Sequence, residues 1–445
     1  MKARLEGRLR NNTALSEILA QAWLARASLP PASQQETLQA LLKSCSRAQS
    51  SLMHRLLARR LRPYLDGRVG AAIRCAWEAQ FGDLRDPVSG CALGTSLLLK
   101  APGPGGEKGV IYSSFEINWA RLLAFHDAAA VLRDYYLVGA TSWSPTNFSV
   151  LAAFAGLSRD PIFVGISHAD DVSRLGLMRP VVEPLPILAS DWIHPDDYAP
   201  RPHRERSIDI LMVAGFCRFK RHWLLFEALR EMPRNLRVVL IGREAPGRTR
   251  EALLDEARAF GVRQDLEVYT NLEHDELAAR QCDARISLAL SQREGSCVAA
   301  AESLFADSPV AMMEDAHIGA RAYLNAETGL LLRRKGLARA LMRFHEDSER
   351  FAPRRWAQEH IACTTTSARL NALLREWSLR NGRPWHKDIA PLCWRYVPRY
   401  VVPADRERLL PAVAELRDRH GVAIYEWPGE KASLLARTSR NRCRS

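Results

Sequence analysis

Hydrophobic positions change their period along this chain. In the first 85 residues Leu38, Leu41, Leu42, Cys45, Leu52, Leu56 and Leu57 recur at largely helical spacing. Asn12 and Thr13 can cap a helix running to about Ala27, and Pro30-Pro31 breaks it. Ser33-Gln34-Gln35-Glu36 is a capping-box pattern that opens a second helix, read as continuing to Arg59, Arg60 and Arg62 before Pro63. From about residue 86 short apolar runs alternate with helical stretches. Thr95–Leu99, Val110–Ser114, Tyr135–Val138 and Pro161–Ile166 predict strands, with a helix from about Glu116 to Leu132. Five prolines between residues 184 and 206 predict a linker. A second alternating series follows. Ile208–Val213, Leu236–Ile241, Leu266–Tyr269, Ala284–Leu290 and the run into Met312 read as strands, and Trp223–Met232 and Arg250–Phe260 as helices. Repeated β-α alternation implies right-handed crossovers and parallel sheets, so the fold class is α/β. The expected units are a helical basic extension over 1–85, a first α/β domain over 86–200, a second over 201–378 and a basic extension over 379–445.

In such sheets ligands bind outside the carboxyl ends of strands. Several polar clusters fall there. Glu116 and Asn118 follow the Val110–Ser114 run, Ser142 follows Tyr135–Val138, and His168 with Asp170 and Asp171 follows Pro161–Ile166. These groups suit a hydroxyl-rich acceptor, although each can also serve as a cap or core contact. Arg218, Lys220 and Arg221 follow Ile208–Val213 at a helix start, where cations can stabilise a diphosphate. Glu294-Gly295-Ser296 follows Ala284–Leu290, and an alanine-rich helix carrying Glu302 begins just beyond it. Amides at a helix start favour an anionic ligand, and the two acids can accept from hydroxyls. The glycine-rich turn between Lys100 and Gly109 lacks a phosphate-loop pattern and reads either as a ligand loop or as a hairpin turn.

Composition sharpens this picture at the ends of the chain. The net charge is +13, yet residues 1–85 carry 14 Lys/Arg against 6 Asp/Glu and residues 380–445 carry 14 against 7, so the middle is close to neutral. Basic ends on a neutral body can meet an anionic membrane surface or a polyanion. No recognisable nucleic-acid module accompanies them, which disfavours nucleic acid as a partner. No run approaches a membrane span, and the N-terminus lacks a secretory apolar core. Nine scattered cysteines without a CxxC pair fit reduced thiols. The expected location is therefore cytoplasmic, with peripheral membrane association allowed by the basic ends.

Taken in order, four pieces of the second unit resemble the donor-binding domain of the group 1 (family four) glycosyltransferases of the GT-B fold. They are Arg218-Phe219-Lys220 before a helix ending Glu227-Ala228-Leu229, Val238-Val239-Leu240-Ile241-Gly242, Glu294 through Glu302, which matches the Glu-x7-Glu pattern, and Pro309-Val310 with Glu327-Thr328-Gly329-Leu330 downstream. The match spans about residues 205–378. The resemblance implies two Rossmann-like domains facing a cleft, a nucleoside diphosphate sugar as co-substrate, and retaining transfer without a metal or other cofactor. By that analogy Glu294, Arg218 and Lys220 are catalytic: Glu294 holds hydroxyls of the transferred sugar, and the two cations grip the diphosphate. Gly295 and Ser296 present amides, Glu302 binds the ribose, and Asn271 and Leu272 border the base. Two departures stand out. The basic loop is short, and Gly139-Ala140-Thr141-Ser142-Trp143 holds no histidine where many members have one. Either Ser142 or His168 takes that place, or the domain has a modified task. The acceptor is left as a glycan, lipid or protein, in glycan or polysaccharide biosynthesis. The alternative is a non-catalytic scaffold of the same fold recruited to an anionic surface.

Overall fold

The computed structural model describes residues 13–424 apart from 30–32, 46, 67, 70–72, 76, 79–81, 86–91, 143–147 and 396. Pro30-Pro31, Trp143, and the chain from Tyr425 onward therefore lie outside the described residues.

Five strands make the first sheet: β1 (Ser96–Lys100), β2 (Gly109–Ser113), β3 (Tyr135–Ala140), β4 (Ile162–Ile166) and β5 (Val182–Leu188), in that spatial order. β1 and β2 form an antiparallel hairpin and the remaining pairs are parallel. The glycine-rich turn after Lys100 is thus the hairpin connection, closed by a buried Lys100–Glu107 pair at 2.5 Å. Because successive side chains alternate across a strand, every strand here must satisfy two cores. Leu98, Ile111, Leu137 and Val164 face the core that contains Trp119, Leu122 and Leu123. Leu99, Val110, Tyr112, Tyr136, Val138 and Phe163 face the other side, against Trp192, Leu370, Leu374, Trp385, Ile389 and Leu392. The helix Cys363–Arg380, read from the sequence as part of the second unit, therefore packs on the first sheet. The segment after it joins it: Arg383 and Lys108 meet Asp160 at 2.5 and 2.7 Å, and Glu107 accepts from the His386 amide at 2.8 Å.

The prolines at 184 and 186 are not linker. Both lie within β5, at the sheet edge, where a missing N–H costs no ladder bond on the solvent side. The predicted long basic helix is likewise two, Gln34–Cys45 and Ser51–Leu61. Ser50 accepts from the Met53 amide at 3.2 Å and caps the second one, while its hydroxyl donates to Glu17 at 2.6 Å. The Ser33–Glu36 capping box forms in both directions.

The second sheet has six parallel strands: β6 (Ile208–Val213), β7 (Arg237–Gly242), β8 (Asp265–Thr270), β9 (Ala284–Ala289), β10 (Val310–Met313) and β11 (Gly329–Leu332). The spatial order is β8-β7-β6-β9-β10-β11. The winding direction reverses between β6 and β9, so the loops leaving these two strands diverge and open a crevice at their carboxyl ends. Together the two sheets make an α/β molecule of two Rossmann-like units.

Candidate functional site

At the reversal point the β6 loop brings Lys220 to the β9 loop. Lys220 Nζ lies 2.6 Å from Glu294 Oε2, with the two side chains 17% and 13% exposed. Burial pulls the ammonium down. Glu294 pushes it up, aided by the nearby Cys297 and Cys217 sulfurs, and the balance lies above the usual lysine value. Lys220 therefore carries a full charge at neutral pH. The other Glu294 oxygen accepts from the Ser291 hydroxyl.

The backbone fixes this pairing. The Gln292 amide donates to Phe219 O at 2.9 Å, and Arg221, at a left-handed φ of 59°, turns its guanidinium inward to Leu290 O at 2.5 Å and Ser291 O at 3.0 Å. Arg221 also meets Asp315 at 2.9 Å. Arg221 thus ties two loops together and is not available as a phosphate clamp. Arg218 is exposed on the same one-turn helix, and Phe219 beside it is 40% exposed.

Gly295 and Ser296 are buried immediately before the helix Val298–Phe305. Glu302 is on its buried side, facing the helix His274–Cys282, where Gln281 Nε2 reaches it at 3.5 Å. Burial raises its carboxyl to about 7. Asn271 follows β8 at φ 54°, its amide donating to Gly242 O at 3.2 Å, and Leu272, like Tyr269, packs on the core that holds Ile241 and Leu277. Lys220, Glu294, Gly295 and Ser296 are thus gathered in two neighbouring loops. Asn271 and Leu272 stand at the end of β8, two strands from β6, and Glu302 lies within the helix that follows Ser296, turned toward Gln281.

Opposite this edge stand the loops of the first sheet. Glu116 accepts from the Ser142 amide at 3.1 Å and from its hydroxyl at 2.7 Å. Thr141 and Ser167 bond at 3.1 Å, which joins the Ser142 loop to the His168 loop. Asn118 is spent internally: its amide nitrogen donates to Thr95 Oγ1 at 2.7 Å and Ser114 O at 2.6 Å, and its oxygen accepts from Arg121 at 3.3 Å. It anchors a helix and is not displayed to a ligand.

His168 is displayed. Its ring stacks on His317 of the second unit, centroids 3.9 Å apart at 17°. His317 follows β10, and its carbonyl accepts from the Glu294 amide at 2.9 Å. Sequence reasoning missed this residue; the only signal was its place after a strand end, in a stretch with no pattern to single it out. Nearby Gly319 donates to Gly295 O at 2.7 Å. A Cβ on Gly319 would meet Ser167 O at 1.9 Å and Ser296 Cα at 2.8 Å. The two units touch here through backbone, and only glycine permits the approach. Gly319→Ala is expected to lower the urea midpoint by the equivalent of about 1–3 kcal/mol. Because it must part the two loops, it should also slow any reaction in the cleft by about tenfold or more, measured as an initial rate.

Residues 195–359 match the family model described as Glycosyl transferases group 1. This segment is thus similar to a group 1 glycosyl transferase domain. It holds all six strands of the second sheet and the Lys220–Glu294 pair, whereas the first sheet lies wholly ahead of it. Among solved structures, the chain is similar to sucrose-phosphate synthase from Thermosynechococcus elongatus at 16% identity, over 61% of this chain and 74% of that one, with a TM-score of 0.46. It is also similar to Anabaena HepE in complex with UDP at 14% identity, over 60% and 78%, with a TM-score of 0.48. For S. aureus TarM the values are 12%, 62% and 62%, with a TM-score of 0.43. A search of curated proteins finds no match.

Proposed function

We propose that the chain is a retaining glycosyltransferase that moves a sugar from a nucleoside diphosphate donor to a hydroxyl of an acceptor, without a resident metal. The observation that carries this reading is the Lys220–Glu294 pair at the reversal point of the second sheet, inside the segment that matches the group 1 glycosyl transferase model. A diphosphate entering the crevice gives Lys220 a second anionic partner, and Glu294 turns to accept from hydroxyls of the transferred sugar. Gly295 and Ser296 offer amides, Glu302 serves the ribose, and Asn271 and Leu272 border the base. Arg218, exposed on the same loop, closes over the diphosphate.

In the reaction the bond between the anomeric carbon and the diphosphate oxygen breaks, and the acceptor oxygen bonds to that carbon on the same face. The acceptor proton passes to the departing phosphate oxygen, giving a glycoside and a nucleoside diphosphate. Lys220 stabilises the negative charge that develops on the leaving group, the task a bound cation performs elsewhere. The acceptor approaches from the side of Ser142, Glu116 and His168. Anabaena HepE is seen in complex with UDP and with UDP-glucose, and S. aureus TarM with fondaparinux and UDP; for this chain we propose a place in glycan or polysaccharide biosynthesis.

The helix Ser51–Leu61 supports a peripheral membrane contact. Leu52 and Leu56 are 71% and 40% exposed beside exposed Arg55, Arg59 and Arg60. Such a face suits an anionic lipid surface. Among the described residues no helix is long and apolar enough to cross a membrane.

A thermal-shift screen over nucleoside diphosphates and their sugars tests the donor reading. The matching base should raise the midpoint by several degrees at about 100 times its Kd. A flat response across all bases would favour the non-catalytic scaffold.

A further inference from the structure

Beside the donor pair, the cleft holds a basic group that the transfer reaction does not use. Three arginines surround the stacked His168 and His317: Arg174 on the helix Asp171–Gly176, Arg293 on the β9 loop and Arg321 on the turn Gly319–Tyr323. All three are half-buried. Arg174 Nη1 is shielded from water and has no protein acceptor. Arg321 Nη1 donates only to main-chain oxygens, Glu314 O at 2.8 Å and Ala316 O at 3.5 Å. The facing acids are fewer. Asp170 is exposed, 3.4 Å from His168 Nδ1, and Asp171 is turned back to accept from the His168 amide at 3.0 Å.

A guanidinium with a buried, unmet donor calls for an acceptor from outside. We propose that Arg174, Arg293 and Arg321 form a subsite for an anionic group, a phosphate or carboxylate, carried by the acceptor. It rests on the donor reading, since it adjoins the loop that holds Glu294. The imidazoles form its wall. Burial lowers both histidines and the arginines add to this, leaving His317 at about 4, so the rings present neutral donors and acceptors near pH 7. A cation is the competing ligand, because atoms of His168, Asp170 and His317 come within 4.8 Å of one another. Glu314 also acts on Arg321 but is paired with Arg333 at 2.7 Å; with that pair set aside, three guanidiniums face the carboxylates of Asp170 and Asp171, so the neighbourhood is positive and favours an anion.

Imidazole NMR signals of His168 and His317 report on this subsite independently of turnover. Inorganic phosphate should shift both saturably in the full-length protein, and Arg174→Gln should weaken the midpoint by about tenfold. Arg321→Gln should do the same and serves if Arg174→Gln fails to fold. Lys220→Ala should leave the midpoint within about twofold, so failure of the donor reading would be seen separately. Glucose 6-phosphate and vesicles containing phosphatidic acid then compete against inorganic phosphate. Tighter binding by the first identifies a soluble sugar phosphate, and by the second a lipid-linked one. Absence of saturation, an unchanged midpoint in both arginine variants, or zinc binding that depends on His317 but not on the arginines would overturn the proposal.

Discussion

Lys220→Ala is expected to slow sugar transfer by about a hundredfold to a thousandfold, the usual cost of removing one preorganised group aimed at developing charge. Lys220 is the one side chain of the β6 loop that couples a raised basicity to a place beside the β9 loop, and its counter-charge is Glu294 at 2.6 Å. Without the ammonium, nothing on that loop except exposed Arg218 can offset the charge of a departing diphosphate. Glu294→Gln should lose about tenfold to a hundredfold, because an amide accepts more weakly from sugar hydroxyls than a carboxylate. Each single change leaves one half-buried charge without its partner, so part of the loss could come from the fold. The double variant Lys220→Met with Glu294→Gln restores neutrality. It should recover the urea midpoint of the wild type while remaining inactive, which separates chemistry from stability.

Glu302→Gln is expected to stabilise the protein above pH 8 by up to about 3 kcal/mol, and to leave it nearly unchanged near pH 4.5. Burial raises the Glu302 carboxyl from its ordinary value of 4.5 to about 7. A group raised in the folded state contributes its full stability below the unfolded value, and that contribution is lost as pH rises through the folded value. The window therefore runs from about 4.5 to 7, and glutamine, which cannot ionise, escapes the loss. Urea unfolding of both proteins at pH 5 and pH 8.5 measures it. Equal differences at the two pH values would show that Glu302 is not held uncharged. The same substitution should weaken donor binding, since an amide accepts more weakly from the ribose hydroxyls than a carboxylate.

Much of the second unit was legible because local signals agree there. Ile208–Val213 is a strand with the predicted ends, and the helix predicted from Arg250 begins there, capped by Thr249. The Lys220 and Glu294 loops could be placed at strand ends from apolar runs alone. Their ion pair could not, because it depends on β6 and β9 being neighbours, which is a property of strand order. The first unit was harder for a physical reason. Its strands alternate between two apolar faces, and the sequence does not say what covers the second. That cover is Leu370, Leu374 and Trp385, more than 200 residues downstream of β3. Pro184 and Pro186 signal a linker unless the strand is known to be at an edge. Asn118 reads as a polar group at a strand end, but Thr95 and Ser114 consume it. His317 has no motif around it and gains meaning only from His168, on a different sheet.

The central claim is that Lys220 and Glu294 bind and activate a nucleoside diphosphate sugar. Calorimetric titration with the nucleoside diphosphate selected by thermal shift tests it most directly. The account predicts saturable binding to the wild type, weakened by about tenfold or more in Lys220→Ala, with both proteins folded. Equal affinity in the two proteins, or no binding to the wild type by any nucleoside diphosphate, would contradict it.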